Sequence, residues 1–296
     1  MLQPAILLYH SVVAGPPKHD TFALRVAAEN FAAQMQYLKA QRTVLSLSEF
    51  THLFERDRLP KDAVALTFDD GYADNAKIVA PLLKREGLPA TFFVCTGLLG
   101  LEFWWDRLER LIYTAKDLPS ELTLSSKGVP VKVRTALRAN CVIALWSILR
   151  SEEPKARDVT IDRLADGLEV ETINASSVSL APDHVSILAA DLFELGAHTV
   201  NHNSLTMLGR KELWWEVSQS KADCELLGCC VVSSFSYPHG EFDQTAQEVL
   251  FAAGFELACA VGGTNVRRGD SRFALPRIHI ENWSAEEFAR RLEEND

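Results

Sequence analysis

Residues 64–94 alternate a short apolar strand, a helix and a second short strand, and this rhythm limits the fold more than any other feature of the chain. Val64, Ala65, Leu66, Thr67 and Phe68 form a run suited to a strand buried on both faces. Residues 73–86 follow with helical spacing, and Gly87 is placed to end that helix. Residues 90–94 are strand-like again. A strand, a crossover helix and a strand in so short a span imply a parallel sheet.

The rhythm extends in both directions. Residues 5–9 read as a strand, and 30–40 as a helix with Phe31, Met35 and Leu38 on one face. Ser48 is a candidate cap for a helix entered near 46–50. Strands are expected at 193–197, 231–235, 257–261 and 275–280. Helices are expected at 183–190, 212–227, 244–253 and 284–292, the last capped by Ser284. Between about 101 and about 180 the rhythm breaks. That stretch is helical in pattern, opens on Trp104-Trp105 and shows no strand pairs, so a helical insertion is expected there. Within it Val142, Leu145, Trp146 and Leu149 fall on one helix face, the pattern of a core helix. The 296 residues suit one catalytic domain, an α/β barrel of roughly 250 residues carrying this insertion.

Composition removes several classes. The net charge of −10 argues against nucleic-acid binding, which needs a basic face. The longest nearly apolar stretch, 141–149, is far short of the roughly 20 residues of a spanning helix. The opening residues lack a basic and apolar leader, and none of the six cysteines forms a Cys-x-x-Cys pair. Reduced thiols and a cytoplasmic location, extending to the inner membrane face, are therefore expected. Asn174-Ala175-Ser176 and Asn282-Trp283-Ser284 match the glycosylation pattern, which carries little weight without secretion.

Chemistry-bearing residues gather just after the expected strands: His10, Asp69-Asp70, His198 with His202, and Tyr237-Pro238-His239. In parallel α/β folds those strand ends form the active face. Two imidazoles and a carboxylate are a set that catalytic zinc sites use. A second carboxylate beside the first is then free to act as a base. The competing reading makes Asp69 or Asp70 the cap of the helix from residue 73, which needs only one of them.

Thr67-Phe68-Asp69-Asp70-Gly71 and His198-Thr199-Val200-Asn201-His202 resemble the first two signatures of the NodB-type polysaccharide deacetylases, carbohydrate esterase family 4. The resemblance implies a distorted (β/α) barrel and one divalent metal, zinc first, with cobalt, nickel or manganese as alternatives. It implies removal of an acetyl group from an N-acetylated sugar. Carried over, Asp69 resembles the catalytic base, and Asp70, His198 and His202 the metal ligands. The third signature, Arg-x-Pro-Tyr-Gly, is met only in part by Ser236-Tyr237-Pro238-His239-Gly240. Ser236 stands where the family has an arginine that orients the base. His239 replaces a tyrosine whose backbone N–H holds the oxyanion, and a backbone donor survives that change. Arg277 is the candidate for the missing arginine, with an ordinary salt bridge as the alternative. The family's Leu-x-His, which supplies the general acid, lacks a clear copy near the C-terminus but is matched by Leu8-Tyr9-His10. Some members place this histidine first. His279 is the competitor, and a hydrogen-bonded core histidine is the alternative for His10.

The expected substrate is an N-acetylated sugar of a glycan or polysaccharide precursor, with a lipid-linked form included. The alternatives are a deformylase or another small amide or ester hydrolase on the same fold, and a non-catalytic glycan-binding protein that keeps the metal site. Trp104, Trp105, Trp214 and Trp215 are candidates for stacking on sugar rings, or for ordinary packing. Oligomeric state is not legible.

Overall fold

The computed structural model describes residues 3–126, 128–170 and 178–294. Asn174-Ala175-Ser176 lies outside them. The strands are β1 (Ala5–Tyr9), β2 (Ser11–Val13), β3 (Arg25–Ala27), β4 (Thr43–Leu45), β5 (Ala63–Phe68), β6 (Ala90–Val94), β7 (Glu121–Ser126), β8 (Val129–Arg134), β9 (Phe193–Ala197), β10 (Ser234–Ser236), β11 (Leu257–Cys259) and β12 (Ile278–His279). The α-helices are α1 (Ala28–Gln41), α2 (Leu47–Glu55), α3 (Ala80–Glu86), α4 (Trp104–Thr114), α5 (Arg138–Leu149), α6 (Pro154–Gly167), α7 (Arg210–Gly228), α8 (Gln244–Ala252) and α9 (Ala285–Glu294).

The main sheet runs β11-β10-β9-β6-β5-β1-β12, with β4 also paired to β5. Each of these pairings is parallel. Leu275, just before β12, bridges to Cys259 of β11, and Ala260 N–H donates to Leu275 O at 2.9 Å. That contact draws the two ends of the sheet together, and the sheet curls into a distorted (β/α) barrel. Side chains alternate across it. Leu7, Leu66 and Phe92 join the main core with Phe31, Met35 and Leu38 of α1, whereas Ile6, Ala65 and Phe93 join a smaller cluster with Phe50 of α2.

Register sets the site. Leu8 pairs with Thr67 and with His279, Phe68 with Phe92, Val94 with Ala197, and Ala197 with Phe235. His10, Asp69-Asp70, His198, Ser236 and His279 therefore emerge on one rim.

Several local expectations change. The segment 101–180 is not purely helical: β7 and β8 form an antiparallel hairpin, with Leu122, Leu124 and Val133 buried against α4 and α5. Leu122 and Leu124 are the period-two signal, which the polar residues around them obscure. Pro182–Ala189 is a 3-10 helix rather than an α-helix. The helix after Asp69-Asp70 begins as a π-helical turn, Asn75–Val79, before α3 ends at Gly87 in the left-handed conformation. Ser46, not Ser48, caps α2 by accepting from Glu49 N–H. Ser48 instead hydrogen-bonds Glu194. The strand expected over 275–280 shortens to β12. All six cysteines are free, and among the described residues no helix is long and apolar enough to cross a membrane.

Candidate active site

Asp69 and Asp70 leave β5 in different directions because the chain turns sharply between them. Asp70 has φ 73° and Gly71 φ 84°. A Cβ on Gly71 would also press within 3.1 Å of Val94 Cγ1, so this turn needs glycine. Thr199, His202 and His239 likewise sit at positive φ, at 65°, 55° and 60°. Such backbone costs on the order of 1–3 kcal/mol per residue and clusters where side chains must be aimed.

Asp69 is fixed by Arg277. The guanidinium Nη1 and Nη2 donate to Oδ1 and Oδ2 at 2.8 and 2.7 Å. Nε donates to Ala260 O, Nη1 also to Thr67 Oγ1, and Nη2 also to Ser236 Oγ. Every N–H of the fork thus has an acceptor, as a fully buried arginine requires. Ser236 Oγ in turn donates to Asp69 Oδ2 at 2.8 Å. Burial alone would raise the Asp69 pKa, but the Arg277 charge, His198 and the Arg277 hydrogen bonds outweigh it and hold the carboxyl well below its ordinary range.

Asp70 faces the histidines. Its Oδ1 lies 3.4 Å from His198 Nε2 and 3.3 Å from His202 Nε2. His198 Nδ1 is 2.7 Å from Ser236 O, which makes Nδ1 the protonated nitrogen and turns Nε2 toward Asp70. Asp70 Oδ1 is buried with no hydrogen-bond partner of good geometry. Burial opposes the charged form of both imidazoles. Asp69 and Asp70 nevertheless raise the His198 pKa, while burial and then His239 lower that of His202. An orphaned carboxylate oxygen with two imidazole nitrogens turned on it fits a divalent cation. Cys95 Sγ also comes within 4.8 Å of the donor atoms of Asp70 and His198. Its thiol donates to His198 O at 3.1 Å, and burial pushes its pKa up, so it is a neutral neighbour of this set.

These groups line a cavity of about 270 Å³ with His10, Leu24, Trp105, Trp146, Arg150, His239 and His279 among its walls. A larger cleft of about 680 Å³ near Gln3 and Arg267 holds none of them. His10 and His279 are not alternatives in space: both reach the cavity, ring centroids 5.3 Å apart and edge to face. Burial lowers the His10 pKa, partly offset by Asp70 and then Asp69. Tyr237 turns its hydroxyl away to Phe273 O, and Pro238 does not line the cavity. Trp105 packs on His202 at 4.6 Å and donates from Nε1 to Tyr72 Oη at 2.9 Å. Trp104 packs under Arg157, whereas Trp214 and Trp215 are about half exposed. Sequence reasoning missed Trp146 and Arg150 as cavity residues. Their i,i+4 spacing was the available signal, and the apolar face of α5 masked it.

The chain is 35% identical over 97 residues to YxkH of Bacillus subtilis (strain 168), covering 32% of this chain and 33% of that protein. It is 34% identical over 108 residues to a poly-beta-1,6-N-acetyl-D-glucosamine N-deacetylase of Staphylococcus epidermidis, covering 32% of this chain and 36% of that protein. The match thus spans about a third of each relative's length. Among solved structures, Streptococcus pyogenes deacetylase PplD in complex with acetate shares the fold at TM-score 0.66 and 20% identity, over 98% of both chains. The sequence profile of the polysaccharide deacetylases matches residues 56–120 and 160–258, more than half of the chain and the part that carries Asp69, Asp70, His198 and His202. With the parallel barrel and both signature clusters on its rim, the chain belongs to the polysaccharide deacetylase family.

Proposed function

We propose that this protein is a metal-dependent hydrolase that removes the acetyl group from an N-acetylated sugar. The observation that carries the proposal is the division of labour between neighbours: Asp69 is locked to Arg277 and Ser236, while Asp70 is left to His198 and His202. Asp70, His198 and His202 would hold the ion. So weak a base as Asp69 needs an acidified water, and this is the chemistry a divalent ion, zinc first, would supply when bound. Asp69 accepts the proton of the attacking water, and Arg277 keeps its carboxylate from rotating. The His239 backbone N–H is the proposed donor to the developing oxyanion, with Tyr237 and Pro238 shaping its turn. His10 protonates the leaving sugar nitrogen, and His279 packs against it.

In this proposal the chain is one catalytic domain with an insertion from about 101 to about 180. The insertion has its own hydrophobic cluster, yet Trp105, Trp146 and Arg150 face the catalytic cavity. The relatives' names point to N-acetylglucosamine in the substrate. Six free cysteines support a reducing compartment, and with it the proposal of a cytoplasmic substrate, a polysaccharide precursor that includes lipid-linked forms.

The test is acetate release from N-acetylglucosamine oligomers by zinc-loaded protein, with formamido sugars as the comparison. Acetate release that disappears in Asp69→Asn supports the reading. Formate release without acetate release would replace it with a deformylase. Sugar binding without hydrolysis would replace it with a glycan-binding protein.

A further inference from the structure

The cavity has a wall that the family match does not cover. Residues 121–159, which include all of α5, lie between the two matched segments. From α5, Trp146 reaches Phe22 on one side, centroids 5.4 Å apart, and His239 on the other at 5.3 Å. His239 packs on His202 at 4.6 Å, and His202 on Trp105 at 4.6 Å. These contacts form an unbroken aromatic collar from the segment before β3, through α5 and the turn after β10, to α4.

The collar is fastened as well as packed. Arg150, one turn beyond Trp146, pairs with Glu241 and lies over the Trp146 ring at 4.8 Å. Glu241 also accepts from Ser204 Oγ at 2.5 Å. Glu241 and Ser204 sit two residues from His239 and His202, so the latch ties α5 to the loops that carry two of the collar rings. A polymer bound in mid-chain must enter on one side of the reacting unit and leave on the other. Here Phe22, Trp146 and His239 together wall one side of the cavity, and its volume of about 270 Å³ falls just below the roughly 300–1,000 Å³ of ligand sites.

We propose that the collar restricts the substrate to a single N-acetylated sugar unit, presented at a chain end or on a carrier, and excludes internal units of a polysaccharide. The proposal rests on the deacetylase reading but is tested apart from it. The aromatic walls stack on the faces of that one ring, and selection acts on what flanks it.

The experiment has two arms on zinc-loaded protein. In the first, mass spectrometry locates deacetylated units in an end-labelled N-acetylglucosamine pentamer. Wild-type protein is expected to modify a terminal unit only, and Trp146→Ala to add internal units. Arg150→Met, which cuts the latch and spares the ring, is expected to shift the pattern the same way. Internal deacetylation by the wild type overturns the proposal. In the second arm, calorimetry compares monomer and pentamer. Affinities within about threefold support the collar even if no acetate is released, in which case the deacetylase reading fails alone. Affinity that rises tenfold or more with chain length overturns the collar whatever the activity.

Discussion

Arg277 and Asp69 meet fork to fork beneath the cavity, two parallel hydrogen bonds of 2.8 and 2.7 Å joining residues 208 positions apart. The pair reaches across β1, because Arg277 precedes β12 and Asp69 follows β5, and these two strands flank β1 in the sheet. Arg277→Met would leave a buried carboxylate unpaired, at a cost of about 3–5 kcal/mol. Asp69→Asn/Arg277→Met should recover much of that loss. Urea denaturation of both variants checks this, and equal destabilisation by the single and double changes would contradict it.

Asp69→Asn should lower the rate of acetate release by on the order of 10²–10⁴-fold, the range for a lost general base. Metal content, measured by atomic emission, should stay near that of the wild type. If the metal were lost instead, the two aspartates would have to exchange roles.

His10→Ala should separate substrates by leaving group. Amide hydrolysis needs a proton on the departing nitrogen, whereas an activated aryl ester does not. The variant should lose about 10²-fold or more on an N-acetylated sugar and under tenfold on 4-methylumbelliferyl acetate. Equal losses on both would move the acid elsewhere, with His279 the next residue to change.

Removing the ion should destabilise the fold as well as stop turnover. A ligand held at a hundred times its dissociation constant stabilises the folded state by about 2.7 kcal/mol. Chelator should therefore lower the melting temperature of the wild type, and much less that of Asp70→Asn. An identical drop in both would place the ion at another site.

His279 and His239 are held neutral, each pushed down to about 3 by burial first, then His10 for His279 and Arg150 for His239. Below their ordinary value of 6.5 the unfolded chain takes up protons that the folded one refuses, so each lowers stability as pH falls from 6.5 toward 3. Asp74, raised to about 6 by burial, works in the opposite sense, so the wild-type curve alone is not decisive. The His279→Asn variant should lose less stability than the wild type between pH 7 and pH 5, read from urea midpoints. A steeper loss in the variant would show that His279 is protonated in the fold.

The parallel barrel was legible because β1, β5 and β6 are largely apolar runs long enough to show themselves. The strands β2, β3 and β4 were not, since each is three residues long and lies outside any longer apolar run between helices. The positions of Asp69, Asp70, His198 and His202 on one rim followed from strand ends and spacing. The distance of Arg277 from Asp69 did not, because it depends on how the last strand meets the first. The β7–β8 hairpin and the inward reach of Trp146 were hidden for a related reason: both depend on packing between segments that local pattern does not connect.

Near Gly100 the chain leaves the barrel, and near Leu180 it rejoins it, through a narrow stem. Gly100 N–H donates to Leu180 O at 3.0 Å, Leu180 N–H to Gly71 O at 2.8 Å, and Ala73 N–H to Val178 O at 2.9 Å. The chain thus departs from the sheet and returns to it beside the aspartate turn, and the other ties of this segment to the barrel, such as Arg25 with Asp106 and Arg150 with Glu241, run through side chains. A segment attached in this way can be lengthened, shortened or exchanged without re-threading the sheet. The part of the protein that shapes the cavity mouth can therefore change while the strand ends that carry Asp69, Asp70, His198 and His202 stay where they are.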